Sequence, residues 1–200
     1  HTRCLNDWSS DVCSSDLANR IVATLYEWWC LFKLVEELGE ICGPPAGEPW
    51  PPTEEGGPPA LQVRFSDGTV LRYQPSCLGG RGSYSLTMRP DFLVEHPRRG
   101  RVCLDAKFSF RLAPGELGPD EEADPERHPT HRDLMTIHAY RDALRCRAAV
   151  ILYPGDRQLF FGVDGGLREG LGIAGLLGEP APEGVGAIPY RPGLDSTLTP

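Results

Sequence analysis

Residues 102–108 place the strongest constraint on the fold, because they read as a buried β-strand that carries two charges. The segment is mostly apolar, which is typical of a central strand in a sheet. Alternation along a strand puts Asp105 and Lys107 on one face and the apolar side chains on the other. Burying an unpaired charge is costly, so we expect a partner or a metal ion to compensate these two.

A second carboxylate, Asp91, follows Pro90 near the end of another apolar run, residues 84–94, which predicts a strand that bends at a site. Two carboxylates can hold one or two Mg²⁺ ions, which prefer oxygen ligands. A neighbouring Lys107 can then orient or deprotonate a water molecule, or neutralise charge that develops on a phosphate. The alternative is that Asp105 and Lys107 form an exposed or edge pair and are simply solvated.

Residues 18–41 are predicted to form a long helix that ends at Gly43-Pro44-Pro45. The prediction rests on apolar residues at helical spacing, namely Ile21, Leu25, Trp28, Phe32 and Val35.

Glu27 is out of place on this helix. On a helical wheel it falls at the edge of the buried arc, with Leu31, Leu34 and Leu38. A Glu in that position needs a partner. The alternative is a side chain that extends to solvent or pairs with Arg20 or Lys33.

Alternation predicts further strands. Residues 61–65 and 69–73 alternate around Ser66-Asp67-Gly68, a pattern typical of a β-hairpin. Residues 148–153 and 158–163 also read as strands. If residues 148–153 run parallel to the Asp105 strand, the connection between them is a right-handed crossover that packs a helix on the sheet.

That connecting helix is predicted to start near Thr130 and Asp133, a possible capping pair. Its buried stripe consists of Leu134, Ile137, Tyr140 and Leu144. The other side is polar and largely basic, with His138, Arg141, Asp142 and Arg145. Such a stripe can contact phosphate. A solvated face with ion pairs along the helix remains the alternative.

Composition limits the class of protein. The 200 residues contain 20 Lys and Arg against 28 Asp and Glu, for a net charge of −8, which argues against DNA binding through the overall field. A local basic groove with bound cations is still compatible with that charge. No apolar stretch approaches the roughly 20 residues needed to span a membrane. The seven cysteines lack a CxxC pair, so we expect a soluble protein of the reducing cytoplasm.

Residues 1–17 are predicted to be a foreign leader. The chain starts with His1, and residues 11–17 look like the translation of a common sequencing-adapter end, which indicates an assembly artefact. An ordinary flexible N-terminus is the alternative.

The order of a helix with a misplaced Glu, strands carrying Pro90-Asp91 and Asp105-Ala106-Lys107, a helix and a strand resembles the PD-(D/E)XK nuclease superfamily. Six blocks in order are similar to the nuclease domain of McrC-like proteins, the endonuclease components of McrBC-type, modification-dependent restriction systems. These blocks are residues 25–30, 89–92, 104–108, 138–143, 152–155 and 184–193.

The resemblance implies an α/β fold with a restriction-endonuclease-like core, in which helices flank a mixed central sheet in the order αβββαβ. It implies a nuclease domain at residues 18–193, with loops at 43–60 and 113–132 and a tail at 194–200.

The resemblance also implies a Mg²⁺-dependent DNA endonuclease, with Mn²⁺ as a substitute. Asp91 and Asp105 would bind the metal, Glu27 would support it, and Lys107 would activate water. Asp105 stands where the superfamily most often has Glu, which shortens the reach to the metal by one methylene. A set on the following helix would orient the site or touch phosphate, namely His138, Tyr140, Arg141 and Arg145.

The partners implied are DNA and an AAA+ GTPase or ATPase, McrB-like, which would dock through an N-terminal region that this sequence does not contain. A dimer would allow cleavage of both strands. No membrane is implied. The alternative function is a catalytically silent scaffold with the same fold that binds DNA or a partner protein.

Overall fold

The computed structural model of the chain describes residues 9–47, 61–108 and 131–193, with side chains from residue 17 onward. Most of the two predicted loops and the whole predicted tail lie outside the described residues, as do Thr130 of the predicted capping pair and the first part of the predicted leader. None of the described helices is long and apolar enough to cross a membrane.

Three helices and ten strands make up the described part of the chain. In order they are α1 (Ser9–Cys42), β1 (Gln62–Arg64), β2 (Val70–Tyr73), β3 (Leu78–Gly79), β4 (Gly82–Ser83), β5 (Phe92–His96), β6 (Gly100–Ala106), α2 (His131–Ala143), β7 (Ala148–Tyr153), β8 (Leu159–Gly162), β9 (Leu167–Arg168), α3 (Ile173–Leu177) and β10 (Gly184–Pro189).

Eight strands form one mixed sheet in the order β1-β2-β5-β6-β7-β10-β8-β9, while β3 and β4 form a small separate pair. Strand β7 is parallel to β6 and to β10, and the other neighbours in the large sheet are antiparallel. The predicted hairpin and the predicted parallel pair joined through α2 are both confirmed. Elements α1, β2, β5, β6, α2 and β7 give the predicted αβββαβ core, with helices on both faces of the sheet.

Alternation assigns each strand residue to one of two apolar layers. Val102 and Leu104 of β6 pack in the layer beneath α1 and α3. Cys103 packs in the layer beneath α2, together with Ile137 of that helix. Asp105 follows the alternation of Cys103 and therefore belongs to the α2 side of the sheet.

Helix α1 differs from its prediction at one end and on one face. It begins at Ser9, within the predicted leader, and ends at Cys42. The face that packs on the sheet includes Tyr26, Cys30 and Leu34. Four of the residues that predicted the helix are instead exposed, namely Ile21, Leu25, Trp28 and Phe32. Helical periodicity identified the helix, but it did not identify the face that meets the sheet.

The strand before β6 is shorter than predicted, and its position relative to Asp91 is reversed. Residues 84–94 were expected to form a strand with Asp91 near its end, whereas β5 begins after Asp91 and continues to His96. Pro90 has no backbone N–H to give to a ladder, which explains why pairing in the large sheet starts beyond it. Asp91 therefore lies at the entrance to β5.

Candidate functional site

Asp91 and Asp105 lie opposite each other at one end of the sheet. Strands β5 and β6 are antiparallel with Phe92 opposite Leu104, so the next position outward pairs Asp91 with Asp105. Side chains at directly opposite positions of an antiparallel pair lie on the same face. In addition, Oδ2 of Asp91 accepts a hydrogen bond of 2.8 Å from the backbone N–H of Ala106. The sheet register thus brings the two carboxyl groups to one place.

Lys107 contacts the second of these carboxylates. Its Nζ lies 2.6 Å from Oδ2 of Asp105, an aspartate whose surface is only 2% exposed. This ion pair compensates the buried charge of Asp105. The predicted proximity of the two charges is confirmed.

The electrostatics of the site are dominated by acidic groups. Burial raises the pKa of Asp91 to about 7, with further contributions from the charges of Asp105 and Glu27, while the Ala106 N–H and Lys107 act in the opposite direction. Burial lowers the pKa of Lys107, but the charges of Asp105, Asp91 and Asp133, together with the hydrogen bond to Asp105, outweigh it, and the net pKa is raised. The carboxylates therefore hold Lys107 as an ammonium group and leave Asp91 partly protonated at neutral pH.

Glu27 reaches this end of the sheet from α1. Its Oε1 accepts a hydrogen bond of 2.7 Å from Nε2 of Gln74, the residue that follows β2. The backbone N–H of Gln74 donates to the carbonyl oxygen of Asp91 at 2.7 Å. Because the charge of Glu27 contributes to the raised pKa of Asp91, the two acids interact electrostatically. The sequence analysis did not identify Gln74, since a single polar residue at a strand end carries no recognisable signal.

Tyr140 on α2 contacts the chain that leads into the site. Its hydroxyl donates to the carbonyl oxygen of Arg89 at 3.2 Å. Burial, followed by the charge of Asp105, raises the pKa of Tyr140 to about 12, so the phenol stays protonated as a donor. Tyr140 thus supports the segment that carries Asp91.

The basic residues of α2 lie elsewhere. Nε of Arg141 donates to the carbonyl oxygen of Arg147 at 3.0 Å, immediately before β7 starts, and the Arg145 guanidinium lies 5.6 Å from the centroid of the Tyr84 ring. Asp105 instead pairs with Ile151, near the far end of β7. The structure does not bring Arg141 or Arg145 to the carboxylates, because α2 runs the length of the sheet.

His138 is exposed on α2, between these basic residues and the start of the helix. Among the described residues, no hydrogen bond or ion pair joins it to the carboxylates. A role in binding phosphate for His138, Arg141 or Arg145 stays a prediction.

The donor set fits a hard divalent cation. Within residues 9–47, 61–108 and 131–193, no three His, Cys, Asp or Glu side chains already converge on a common metal position. The chemistry of the donors nevertheless suits Mg²⁺ or Mn²⁺, since Asp91, Asp105 and Glu27 supply carboxylate oxygens. The interaction of Glu27 and Asp105 with Asp91 also provides the negative charge that a cation would compensate.

The family model of the PD-(D/E)XK nuclease superfamily matches residues 60–158. Residues 60–158, just under half of the chain, are thus similar to the PD-(D/E)XK nuclease superfamily. The matched range includes Asp91, Asp105 and Lys107. No curated protein and no solved structure matches the chain.

The PD-(D/E)XK match does not include Glu27, which lies on α1 before residue 60. The fold brings Glu27 to the matched range, where it accepts hydrogen bonds from Gln74 and Tyr73.

Proposed function

We propose that this protein is a divalent-metal-dependent nuclease that hydrolyses phosphodiester bonds in DNA. The observation that carries the proposal is the arrangement of Asp91 opposite Asp105, with Nζ of Lys107 2.6 Å from the buried Asp105 carboxylate, within the range that the PD-(D/E)XK family model matches. This arrangement combines metal-ligand oxygens with a cation at one point of the surface. Phosphodiester hydrolysis requires both kinds of group.

Each side chain has a defined place in this mechanism. Asp91 and Asp105 would hold Mg²⁺ or Mn²⁺, with Glu27 as a further oxygen ligand. A bound divalent ion supplies Lewis-acid activation and lowers the pKa of coordinated water. Lys107, beside Asp105, orients the attacking water or stabilises the negative charge that grows on the phosphate. The Ala106 N–H fixes one oxygen of Asp91 and leaves the other directed away from that bond.

The proposal extends to the biological setting. We infer that the protein is the endonuclease part of a McrC-like, modification-dependent restriction system in the reducing cytoplasm. It would act with an AAA+ GTPase or ATPase and as a dimer for double-strand cleavage. Support comes from the six ordered sequence blocks. Two of these, residues 152–155 and 184–193, overlap the adjacent strands β7 and β10.

Cleavage of circular plasmid DNA tests the proposal. We expect nicking in Mg²⁺ or Mn²⁺, none in excess chelator, and a severe loss in Lys107→Ala, with circular dichroism showing that the fold is retained. Unchanged cleavage by that folded variant would contradict the assigned mechanism. Parallel reactions on methylated and unmethylated plasmid test the restriction-system setting, where we expect cleavage to depend on modification.

A catalytically silent scaffold is the second candidate. The ion pair between Lys107 and Asp105 favours it, because a lysine that already compensates the aspartate makes a metal unnecessary for stability. DNA binding that is insensitive to chelator, without cleavage at any Mn²⁺ concentration, is the result expected of the scaffold.

A further inference from the structure

We propose that Gln74 is a positioning residue that holds Glu27 at the carboxylate site and so sets the affinity of the site for a divalent cation. The inference rests on the proposed function, and it concerns a residue that makes two connections, one to each of two acids. Nε2 of Gln74 donates to Oε1 of Glu27, and the backbone N–H of Gln74 donates to the carbonyl oxygen of Asp91.

The sheet register fixes the backbone of Gln74. Strands β2 and β5 pair with Tyr73 opposite Phe92, so the next position outward pairs Gln74 with Asp91. The N–H to carbonyl distance of 2.7 Å continues this pairing. Gln74, Asp91 and Asp105 therefore occupy one row across three neighbouring strands. A shift of Gln74 is transmitted directly to the segment that carries Asp91.

The side chain of Gln74 does not point to the face of the sheet that strand alternation predicts for it. Tyr73 packs in the layer beneath α1, so a regular strand would direct Gln74 to the opposite face, beneath α2. Its φ of 45° is left-handed, however, and interrupts the alternation. The amide consequently meets Glu27, which projects from α1.

This conformation is unfavourable for a residue with a β-carbon. The left-handed region costs a non-glycine residue roughly 1–2 kcal/mol, and Asn or Gly adopts it more readily than Gln. If only a turn were needed at the end of β2, Asn or Gly at position 74 would form it at lower cost than Gln. Only a side chain as long as Gln makes the bond to Glu27 that the structure shows.

A neutral amide suits the task of holding a ligand carboxylate. It donates to one oxygen, Oε1, and adds no charge to Glu27, whose carboxylate also accepts a hydrogen bond from Tyr73. A Lys or Arg in its place would neutralise Glu27 and oppose the approach of a metal ion. Donors that orient ligand side chains in this way typically change metal affinity by about 10–100-fold when they are removed.

The decisive experiment measures Mn²⁺ binding to the full chain by isothermal titration calorimetry, so that the result does not depend on turnover. In Gln74→Asn the side chain keeps an amide and tolerates the left-handed backbone, but it is one methylene too short to reach Glu27. We expect the Kd for Mn²⁺ to rise about tenfold, with a melting temperature in chelator close to that of the wild type.

The matched control is Gln62→Asn, the same exchange on the adjacent strand β1. Gln62 accepts a hydrogen bond from Arg72 on β2 and lies away from the carboxylates, so the Kd of this variant for Mn²⁺ should equal that of the wild type. If Gln74→Asn fails to fold, Gln74→Gly provides the same test, because glycine accepts the left-handed conformation without strain.

A double-mutant cycle with Glu27→Gln completes the test. If Gln74 acts through Glu27, the double variant should bind Mn²⁺ no more weakly than Glu27→Gln alone. The positioning role would be overturned if the losses of Mn²⁺ affinity in the two single variants added in the double variant. A wild-type Kd in folded Gln74→Asn would overturn it as well.

The variant Asp105→Asn distinguishes a wrong role for Gln74 from a wrong proposed function. Mn²⁺ binding that is lost in Asp105→Asn but intact in Gln74→Asn rejects the role of Gln74 alone. Absence of Mn²⁺ binding by the wild type rejects the metal site itself, and the role of Gln74 with it.

Discussion

The two ends of the central sheet differ in how their charged side chains are paired. At the end where β6 begins, Glu95 pairs with both Arg72 and Arg101 at 2.8 Å. Nearby, the Arg147 guanidinium donates to the carbonyl oxygens of Pro182, at 2.7 Å, and of Leu176. We call this the arginine end. At the carboxylate end, where β6 finishes, Lys107 pairs with Asp105, and its charge also acts on Asp91.

The difference indicates which charges stabilise the fold and which do not. At the arginine end, guanidinium groups meet carboxylates or carbonyl oxygens, although Nε of Arg99 and Nε of Arg147 are buried without a hydrogen bond. At the carboxylate end, Lys107 pairs with Asp105, while burial and the charges of Asp105 and Glu27 raise the pKa of Asp91 to about 7, so the negative charge there is incompletely compensated. Incomplete compensation of negative charge is typical of functional sites, because the excess charge can bind a cation but lowers the stability of the ligand-free protein.

The largest effect should come from Asp105→Asn. Removing this charge takes away a proposed metal ligand and the partner of Lys107, so we expect DNA cleavage to fall by about a thousandfold. Plasmid nicking rates in Mg²⁺ measure the loss. The control at the arginine end is Arg101→Lys, which keeps the positive charge beside Glu95 and should cleave at the wild-type rate. Equal losses in both variants would erase the distinction between the two ends.

Arg147→Met, at the arginine end, should lower stability and leave cleavage unchanged. It removes the donors to Leu176 and Pro182 and leaves these carbonyl oxygens without their partner, so we expect a loss of about 3 kcal/mol in the free energy of unfolding. Urea denaturation followed by circular dichroism measures it. Cleavage per folded molecule should be unchanged. A stable variant with impaired cleavage would place Arg147 in the functional machinery instead.

Asp91→Asn should stabilise the metal-free protein. The native pKa of about 7 lies above the ordinary aspartate value of 3.8, so between these pH values the native state binds more protons than the unfolded state. The contribution of Asp91 to stability is therefore present below about pH 4 and is lost as the pH rises through 7. At pH 8 in chelator we expect the variant to be about 2 kcal/mol more stable than the wild type, since the shift of about three pH units sets an upper limit near 4 kcal/mol.

Thermal denaturation across this pH range tests the prediction, and the wild type should show a decline in stability that Asp91→Asn lacks. Asp133→Asn on α2 is a control from the same side of the sheet and should retain the decline. A decline of equal size in Asp91→Asn would show that other groups cause it.

The smallest effect should come from Tyr140→Phe. The variant loses the hydrogen bond to the Arg89 carbonyl but keeps the ring in the layer beneath α2, so we expect roughly 1 kcal/mol or less in unfolding and a few-fold reduction in cleavage. Nicking rates and urea denaturation measure the two quantities. A loss as large as that of Asp105→Asn would mean that the tyrosine touches the substrate or the metal.

Much of the fold was predictable from local patterns. Alternation identified the β1–β2 hairpin, β6 and β7, and helical periodicity identified α2. Strand β10 was missed, because its residues 184–189 include two glycines and little β-forming signal. Those glycines are required by packing rather than by propensity. A β-carbon on Gly186 would lie 2.2 Å from the carbonyl oxygen of Leu159 in the neighbouring strand.

Local patterns also misplaced parts of the candidate site. The wheel that grouped Arg141 and Arg145 with a phosphate-binding face contained no information about which end of α2 lies beside Asp105. The predicted strand at residues 84–94 starts before the observed strand β5, because the pairing of β5 begins only after Pro90. Both cases concern position along an element, which periodicity does not report, and the role of Arg141 and Arg145 in binding phosphate stays a prediction.

By itself, the sequence determined that Asp105 and Lys107 are neighbours, since a period of two along a strand is a property of the backbone. It also determined that Glu27 lies beside the apolar face of a helix. Only the tertiary structure decided that Glu27 and Asp91 belong to one site. The physical reason is that Gln74 connects a helix and a strand far apart in the chain, through a left-handed backbone and a hydrogen bond that exist only after the sheet and α1 have packed.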